Sequence, residues 1–170
     1  MKINAIVAVS INGVIGANGG IPWKSPEDMR RFRRLTLGGT VIMGRETYES
    51  IGLEPLSQRF NIVLTKDQSL LRKPHSKDNL VFVDSIDEAI KHVPHGNEVW
   101  VIGGTSVYRQ FFALNLVDCV HATLILNVVK GDTVFPWQNI PMGWKLLGVQ
   151  LSTDCNPQFI AVVLERCADV

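Results

Sequence analysis

A chain of 170 residues with 46% apolar side chains can bury a core of its own, and one folded domain over 1–170 is expected. A net charge of +1, without a long basic tract, argues against duplex nucleic acid or an anionic membrane surface as the main partner. Cys119, Cys155 and Cys167 form no CxxC pair, no charged-then-apolar leader opens the chain and no apolar run approaches bilayer length, so a cytoplasmic protein with reduced thiols is expected.

The chain opens on a strand pattern, INAIVAV at 3–9. The stretch 10–24, SINGVIGANGGIPWK, carries Gly13, Gly16, Gly19 and Gly20 and suits a mobile segment close to something that needs backbone access. A helix is predicted over 25–36, with Ser25 as N-cap, Pro26 at the first helical position and Asp28 as the capping-box acid. At about 100° per residue, however, Asp28 shares an arc with Phe32 and Leu35, flanked by Met29 and Thr36. Arg30, Arg31, Arg33 and Arg34 fill the remaining circumference and read as a solvated face. A carboxylate on the apolar stripe is costly to bury unless something pairs with it.

Strands at 40–44, 61–65, 80–83, 98–103 and 118–126 then alternate with helices at 45–51, 85–93 and 104–113. Ser85 and Glu88 have capping-box spacing at the second of these helices. Several strands are apolar on both faces, as parallel strands covered on both sides must be. WKLLGVQL and QFIAVVLE, joined by STDCNP, read as an antiparallel hairpin. The fold class is therefore α/β: three layers, a mostly parallel central sheet of about eight strands with a C-terminal antiparallel hairpin, and about four flanking helices. His75, His92, His95 and His121 lack metal-ligand spacing, and no metal is expected.

Three strand ends suit phosphate. TVIMG runs into Gly44-Arg45 and a helix, NIVLT into Thr65-Lys66, and VWVIG into Gly103-Gly104-Thr105-Ser106 and another helix. Glycines let backbone N–H groups approach, helix N-termini favour anions, and Arg45 and Lys66 add full charges. Each signal alone is weak, since paired glycines often mark a tight turn and Arg45 or Lys66 alone suits a surface. Their recurrence at successive strand ends favours a dinucleotide.

In this order, GVIGANGGIPWKSPEDMRRF, VIMGRETYESIG, VIGGTSVYRQF and GDTVFP resemble the dihydrofolate reductases of the bacterial, monomeric kind. The resemblance spans nearly the whole chain. It implies NADPH-dependent reduction of 7,8-dihydrofolate to tetrahydrofolate, in a protein that is an antifolate target. It also implies that Asp28 bonds the amino group and adjacent N–H of the pteridine, and that Thr123 bonds that carboxylate or its water. Trp23 would hold a water near the ring oxygen. Val7 and Ala8 would line the pocket with carbonyls, Phe32 and Ile51 would sandwich the substrate beside Ile102, and Arg59 would pair with the glutamate α-carboxylate.

For NADPH, the resemblance implies nicotinamide against Ala8, Ile15 and Tyr108, under a lid from 10–24 that brings Gly16, Asn18, Gly20 and Ile21. Pyrophosphate would lie on Gly103, Gly104, Thr105, Ser106 and Val107, near Ile102 and Gln110, and on Gly44 to Thr47. Leu64, Thr65, Lys66 and Arg45 would surround the adenosine and its extra phosphate. Asp132 would latch the lid through the backbone near Gly16 and Asn18, and the Gly103–Gly104 bond would be cis. Without the resemblance, Asp28 could be only a cap, Trp23 and Tyr108 only packing, Thr123 an ordinary strand residue, Arg59 a surface arginine and Asp132 a turn acid.

Glu46 and Ser106 depart from the family's usual neutral or basic residues, so a preference for NADPH over NADH with a reduced margin is expected. The segment 53–60 also differs, while Ile21, Met29 and Leu53 would line the entrance by analogy. A monomer is expected, partly because no apolar edge stands out. Two other readings compete. One is a pyrimidine reductase of the same fold in flavin synthesis, which has no use for PWKSPED or Arg59. The other is a non-catalytic nucleotide-binding module, which needs no acid in an apolar pocket.

Overall fold

The computed structural model describes residues 1–72 and 77–167, so His75 lies outside the described residues. The strands are β1 (Ile3–Ser10), β2 (Val14–Gly16), β3 (Thr40–Gly44), β4 (Phe60–Leu64), β5 (Leu80–Val83), β6 (Val99–Gly103), β7 (Cys119–Ile125), β8 (Thr133–Val134), β9 (Trp144–Ser152) and β10 (Phe159–Arg166). The helices are α1 (Pro26–Thr36), α2 (Arg45–Ser50), α3 (Gln68–Leu71), α4 (Ile86–Lys91) and α5 (Thr105–Ala113), with a 3₁₀ turn at Trp137–Asn139.

Eight strands form one sheet in the order β5-β4-β3-β6-β1-β7-β10-β9. The first six pair in parallel, and β10 pairs antiparallel with both β7 and β9. This is the expected architecture. Among the described residues it has one helix more than expected, because α3 spans only four residues and leaves no periodic signal.

The strand pleat sorts the core into two layers. Ile6, Val41, Met43, Val63 and Trp100 face one side, packed with Phe32 and Leu35 of α1 and Tyr48 of α2. Ala5, Val7, Ile42, Ile62, Val99 and Val101 face the other, under Ile86 and Ala89 of α4 and Phe111 and Phe112 of α5. Ile42 and Ile62 are wholly buried, and each such side chain stabilises by about 1.5–3 kcal/mol.

Within 10–24 the chain is more ordered than its glycines suggest. β2 pairs antiparallel with β8, Val14 opposite Val134 and Gly16 opposite Thr133, and Ala17 bridges Gly20. Strands of three and two residues are too short to show alternation, so neither was expected. A Cβ on Gly131 would come within 2.5 Å of the Gly16 carbonyl oxygen, so only glycine fits where this loop passes the second segment.

Two expectations are corrected. Arg31 is not part of a solvated face: it is 8% exposed, beneath the helix rather than on it. Nor is the sheet free of an apolar edge, because the edge strand β9 exposes Leu146, Leu147, Val149 and Leu151. Helix α1 otherwise caps as expected, with the Ser25 hydroxyl accepting from the Asp28 N–H at 3.3 Å.

Candidate active site

A cleft of about 960 Å³ runs along the carboxyl ends of β1, β3, β4 and β6. Ligands of open α/β sheets collect there, because strand ends and helix starts leave backbone groups unpaired. Among the described residues, every residue expected at the site lines this cleft except Asn18, Trp23, Leu53, Arg59 and Asp132.

One end is apolar. Val7 and Ala8 of β1, Met29 and Phe32 of α1, Ile51 and Ile102 form its walls, and Ile21 closes it from the loop. Into it α1 delivers Asp28, 9% exposed, opposite Thr123 of β7, 1% exposed. Burial raises the Asp28 carboxyl above the ordinary carboxylate range, while the Thr123 hydroxyl and the charge of Arg31 pull the other way. Leu53 is not on this wall. It is 58% exposed with φ +60, and Ser50 and Leu56 line the cleft instead.

Four other expected residues stand off the cleft wall. Trp23 packs against Ile125, Phe159 and Ala161, as a core residue would. Arg59 is buried, not on the surface. Its guanidinium carbon lies 5.9 Å from the Phe32 ring centroid, and it donates to Thr36 Oγ1 at 3.1 Å and the Ser57 carbonyl at 3.0 Å. Asn18 donates its N–H to Asp132 Oδ2 at 2.9 Å, while the Asp132 N–H reaches the Gly16 carbonyl at 3.1 Å. The Asn18 N–H, then the Thr133 hydroxyl, hold the Asp132 carboxyl below its ordinary range.

The other end is built from backbone. Gly44 and Gly103 terminate neighbouring strands, and the Gly103–Gly104 bond is cis. A Cβ on Gly44 would lie 3.1 Å from Val107 Cγ2, and one on Gly103, at φ +113, 3.2 Å from Tyr108 Cε2. Both strand ends are therefore bare, and α5 starts at Thr105 directly beyond. Tyr108 is buried, donates to the Ile6 carbonyl at 2.6 Å and packs edge-on against Phe135, so its hydroxyl is committed and burial pushes its acidity far down.

Charge at this end is mixed. Arg45 pairs with Glu49 at 2.9 Å, and Lys66 donates to the Asp84 carbonyl at 2.7 Å. Glu46, Asp67 and Asp84 also line the cleft, and the latter two were not anticipated, although they follow the ends of β4 and β5 just as Lys66 does. The Thr105 hydroxyl donates to the Val134 carbonyl at 2.6 Å, joining this end to β8 and so to the glycine-rich loop. Arg31, also unanticipated, gave no signal beyond its place in a run of arginines.

Among the described residues, no group of three or more His, Cys, Asp or Glu is placed to hold a metal.

The sequence matches the family described as "Dihydrofolate reductase" over residues 2–160. It is 39% identical over 148 residues to the dihydrofolate reductase of Buchnera aphidicola subsp. Baizongia pistaciae, covering 86% of this chain and 84% of that one. To the enzyme of Haemophilus influenzae it is 38% identical over 139 residues, covering 82% and 81%. In three dimensions it is similar to dihydrofolate reductase from Enterococcus faecalis complexed with NADP(H) and RAB-propyl. That similarity has a TM-score of 0.85 at 25% identity, over 98% and 97% of the two chains.

Proposed function

This chain belongs to the dihydrofolate reductase family, and from that premise we propose which of its residues carry the NADPH-dependent reduction of 7,8-dihydrofolate to tetrahydrofolate. The reading rests on one observation: a single carboxylate, Asp28, faces the apolar end of the cleft and burial opposes its charge. Such a group binds a flat, amino-substituted ring that donates hydrogen bonds to it, and favours positive charge developing on that ring.

Phe32, Ile51 and Ile102 stack the ring and exclude water, while Val7 and Ala8 present β1 along its edge. NADPH, when bound, supplies the hydride. The bare ends at Gly44 and Gly103–Gly104 fit its pyrophosphate, because no side chain stands between the backbone and an anion there. Ala8, Ile15 and Tyr108 form the wall for the nicotinamide, with the loop held over it by Asp132. Thr65, Lys66 and Arg45 receive the adenosine and its extra phosphate, and Glu46, Asp67 and Asp84 beside them narrow the preference over NADH. Arg59, a buried cation with no carboxylate of the described residues within 4.0 Å, receives the glutamate tail past Phe32.

All of these groups come from one domain of one chain, so catalysis needs no second copy and a monomer suffices. Free Cys119, Cys155 and Cys167 suit the reducing cytoplasm, and among the described residues no helix is long and apolar enough to cross a membrane. Mixing the purified protein with NADPH and dihydrofolate should bleach the dihydronicotinamide band; no bleaching at any pH would overturn the assignment.

A further inference from the structure

Arg31 is an arginine that the fold buries without giving it an acid. It is 8% exposed, no carboxylate of the described residues lies within 4.0 Å, and burial lowers its own affinity for the proton. Leaving a guanidinium in that state is costly unless another polar group compensates it. Its bonded partner is Thr123: Nη1 donates to Oγ1 at 3.3 Å. Thr123 in turn lines the same cleft as Asp28, whose charged form its hydroxyl favours.

A threonine hydroxyl has one hydrogen to give. Guanidinium only donates, so once Arg31 occupies a lone pair of Oγ1, the hydroxyl's own hydrogen must seek an acceptor, and Asp28 is the acceptor at hand. The bond from Arg31 thus biases the Thr123 hydroxyl toward donating to Asp28. We infer that Arg31 is a positioning residue for the reduction: it fixes the Thr123 hydroxyl as a donor to Asp28 and keeps that carboxylate charged and aimed at the substrate ring. This inference rests on Asp28 being the substrate-binding acid.

The surroundings isolate the effect. On α1, Arg34 acts on Arg31, and Glu27, Arg30 and Arg34 line with Arg31 a separate cavity of about 240 Å³. On β7, His121 lies two residues before Thr123 on the same face, and is pushed down to about 4 by burial, then by Arg31 and Lys2, so it is neutral where the enzyme works. The facing residues of β1, β9 and β10, namely Val7, Ala8, Gln150, Phe159 and Ala161, bear no charge. Arg31 is therefore the cation whose charge acts on Asp28, and the side chain it bonds is Thr123.

The test is the pH dependence of the single-turnover hydride-transfer rate. Arg31→Met should move its midpoint up by about one unit, the size expected when an opposite charge nearby is lost. NADPH affinity should not change, because Arg31 does not line the cleft. Arg31→Lys keeps a charge but loses the planar fork, and should give an intermediate midpoint. In a Thr123→Val background, Arg31→Met should add much less than it does alone. The shift should survive in a His121→Gln background. An unchanged midpoint, a lysine variant that matches the parent, additive shifts or a shift that vanishes with His121 would each overturn this role. If Arg31→Met does not fold, the lysine comparison decides the question. Failure of the underlying reading looks different: the unsubstituted protein would not oxidise NADPH with dihydrofolate at all.

Discussion

The two ends of the cleft are made in opposite ways. At the substrate end the work falls on side chains that the fold buries: Asp28, Thr123 and Phe32, with Arg31 and Arg59 behind them. At the cofactor end it falls on backbone left bare by Gly44, Gly103 and Gly104, beside exposed charges of which Arg45 and Lys66 already have partners within the protein. Buried charge acts in a low dielectric and each group matters, whereas exposed charge is screened and contributes in sum. Substitutions should therefore be severe and specific at the first end, and graded at the second except where a glycine is touched.

The largest effect is expected from Asp28→Asn, which keeps the shape and removes the charge. Hydride transfer at neutral pH should fall by roughly 10²-fold or more, within the range attributed to a positioned acid or base, with NADPH binding preserved. Stability should move the other way. The folded-state pKa of Asp28 is raised, so the folded form holds its proton more tightly than the unfolded chain does. The ligand-free protein therefore loses stability as pH rises from the ordinary carboxylate range through the raised value. At pH 7 the asparagine variant should melt higher than its parent, and the gain should disappear in acid. A variant that loses stability and turnover together would mean that Asp28 supports the fold instead.

Gly103→Ala comes next. The new Cβ meets the Tyr108 ring at 3.2 Å on a backbone at φ +113, a conformation that costs a non-glycine residue about 1–3 kcal/mol. NADPH affinity should drop by roughly tenfold or more, and the melting temperature should fall. Normal NADPH binding in this variant would contradict the claim that bare backbone makes the cofactor site.

Arg59→Ala should weaken dihydrofolate by roughly tenfold, a loss of about 1.4 kcal/mol, and scarcely affect a pteridine without the glutamate tail. Equal losses for both ligands would show that Arg59 acts only by packing beneath Phe32. The smallest effect is expected from Arg45→Ala. The ion pair with Glu49 is exposed on both sides and contributes at most about 0.5 kcal/mol to the helix, so folding should be unaffected. The ratio of NADPH to NADH affinity should fall a few-fold, and an unchanged ratio would remove Arg45 from the phosphate site.

Much of this was legible in the sequence because it depends on local periodicity. The β1, β3, β4, β5, β6 and β7 runs and helices α1, α4 and α5 each carry enough apolar repeats to be seen, and Gly44, Gly103 and Gly104 sit where strand signals stop. Strands β2 and β8 were not legible, since three and two residues carry no alternation and their pairing joins segments more than a hundred positions apart. Arg31 was misread for a related reason. On the helix surface it belongs with its neighbouring arginines, and only the approach of β7 encloses it.

The order of apolar runs, caps and glycines thus fixed, by itself, an α/β sheet with anion-ready strand ends and an acid on the apolar stripe of the first helix, because each of these follows from neighbours within a few residues. What the acid faces was decided by tertiary structure alone. Packing α1 on the sheet brings Asp28 and Thr123 to one cleft and Arg31 to Thr123, and the fold buries Arg31 and Arg59 with no carboxylate of the described residues paired to them. Burial and charge coupling depend on distances between remote segments, which no local pattern encodes.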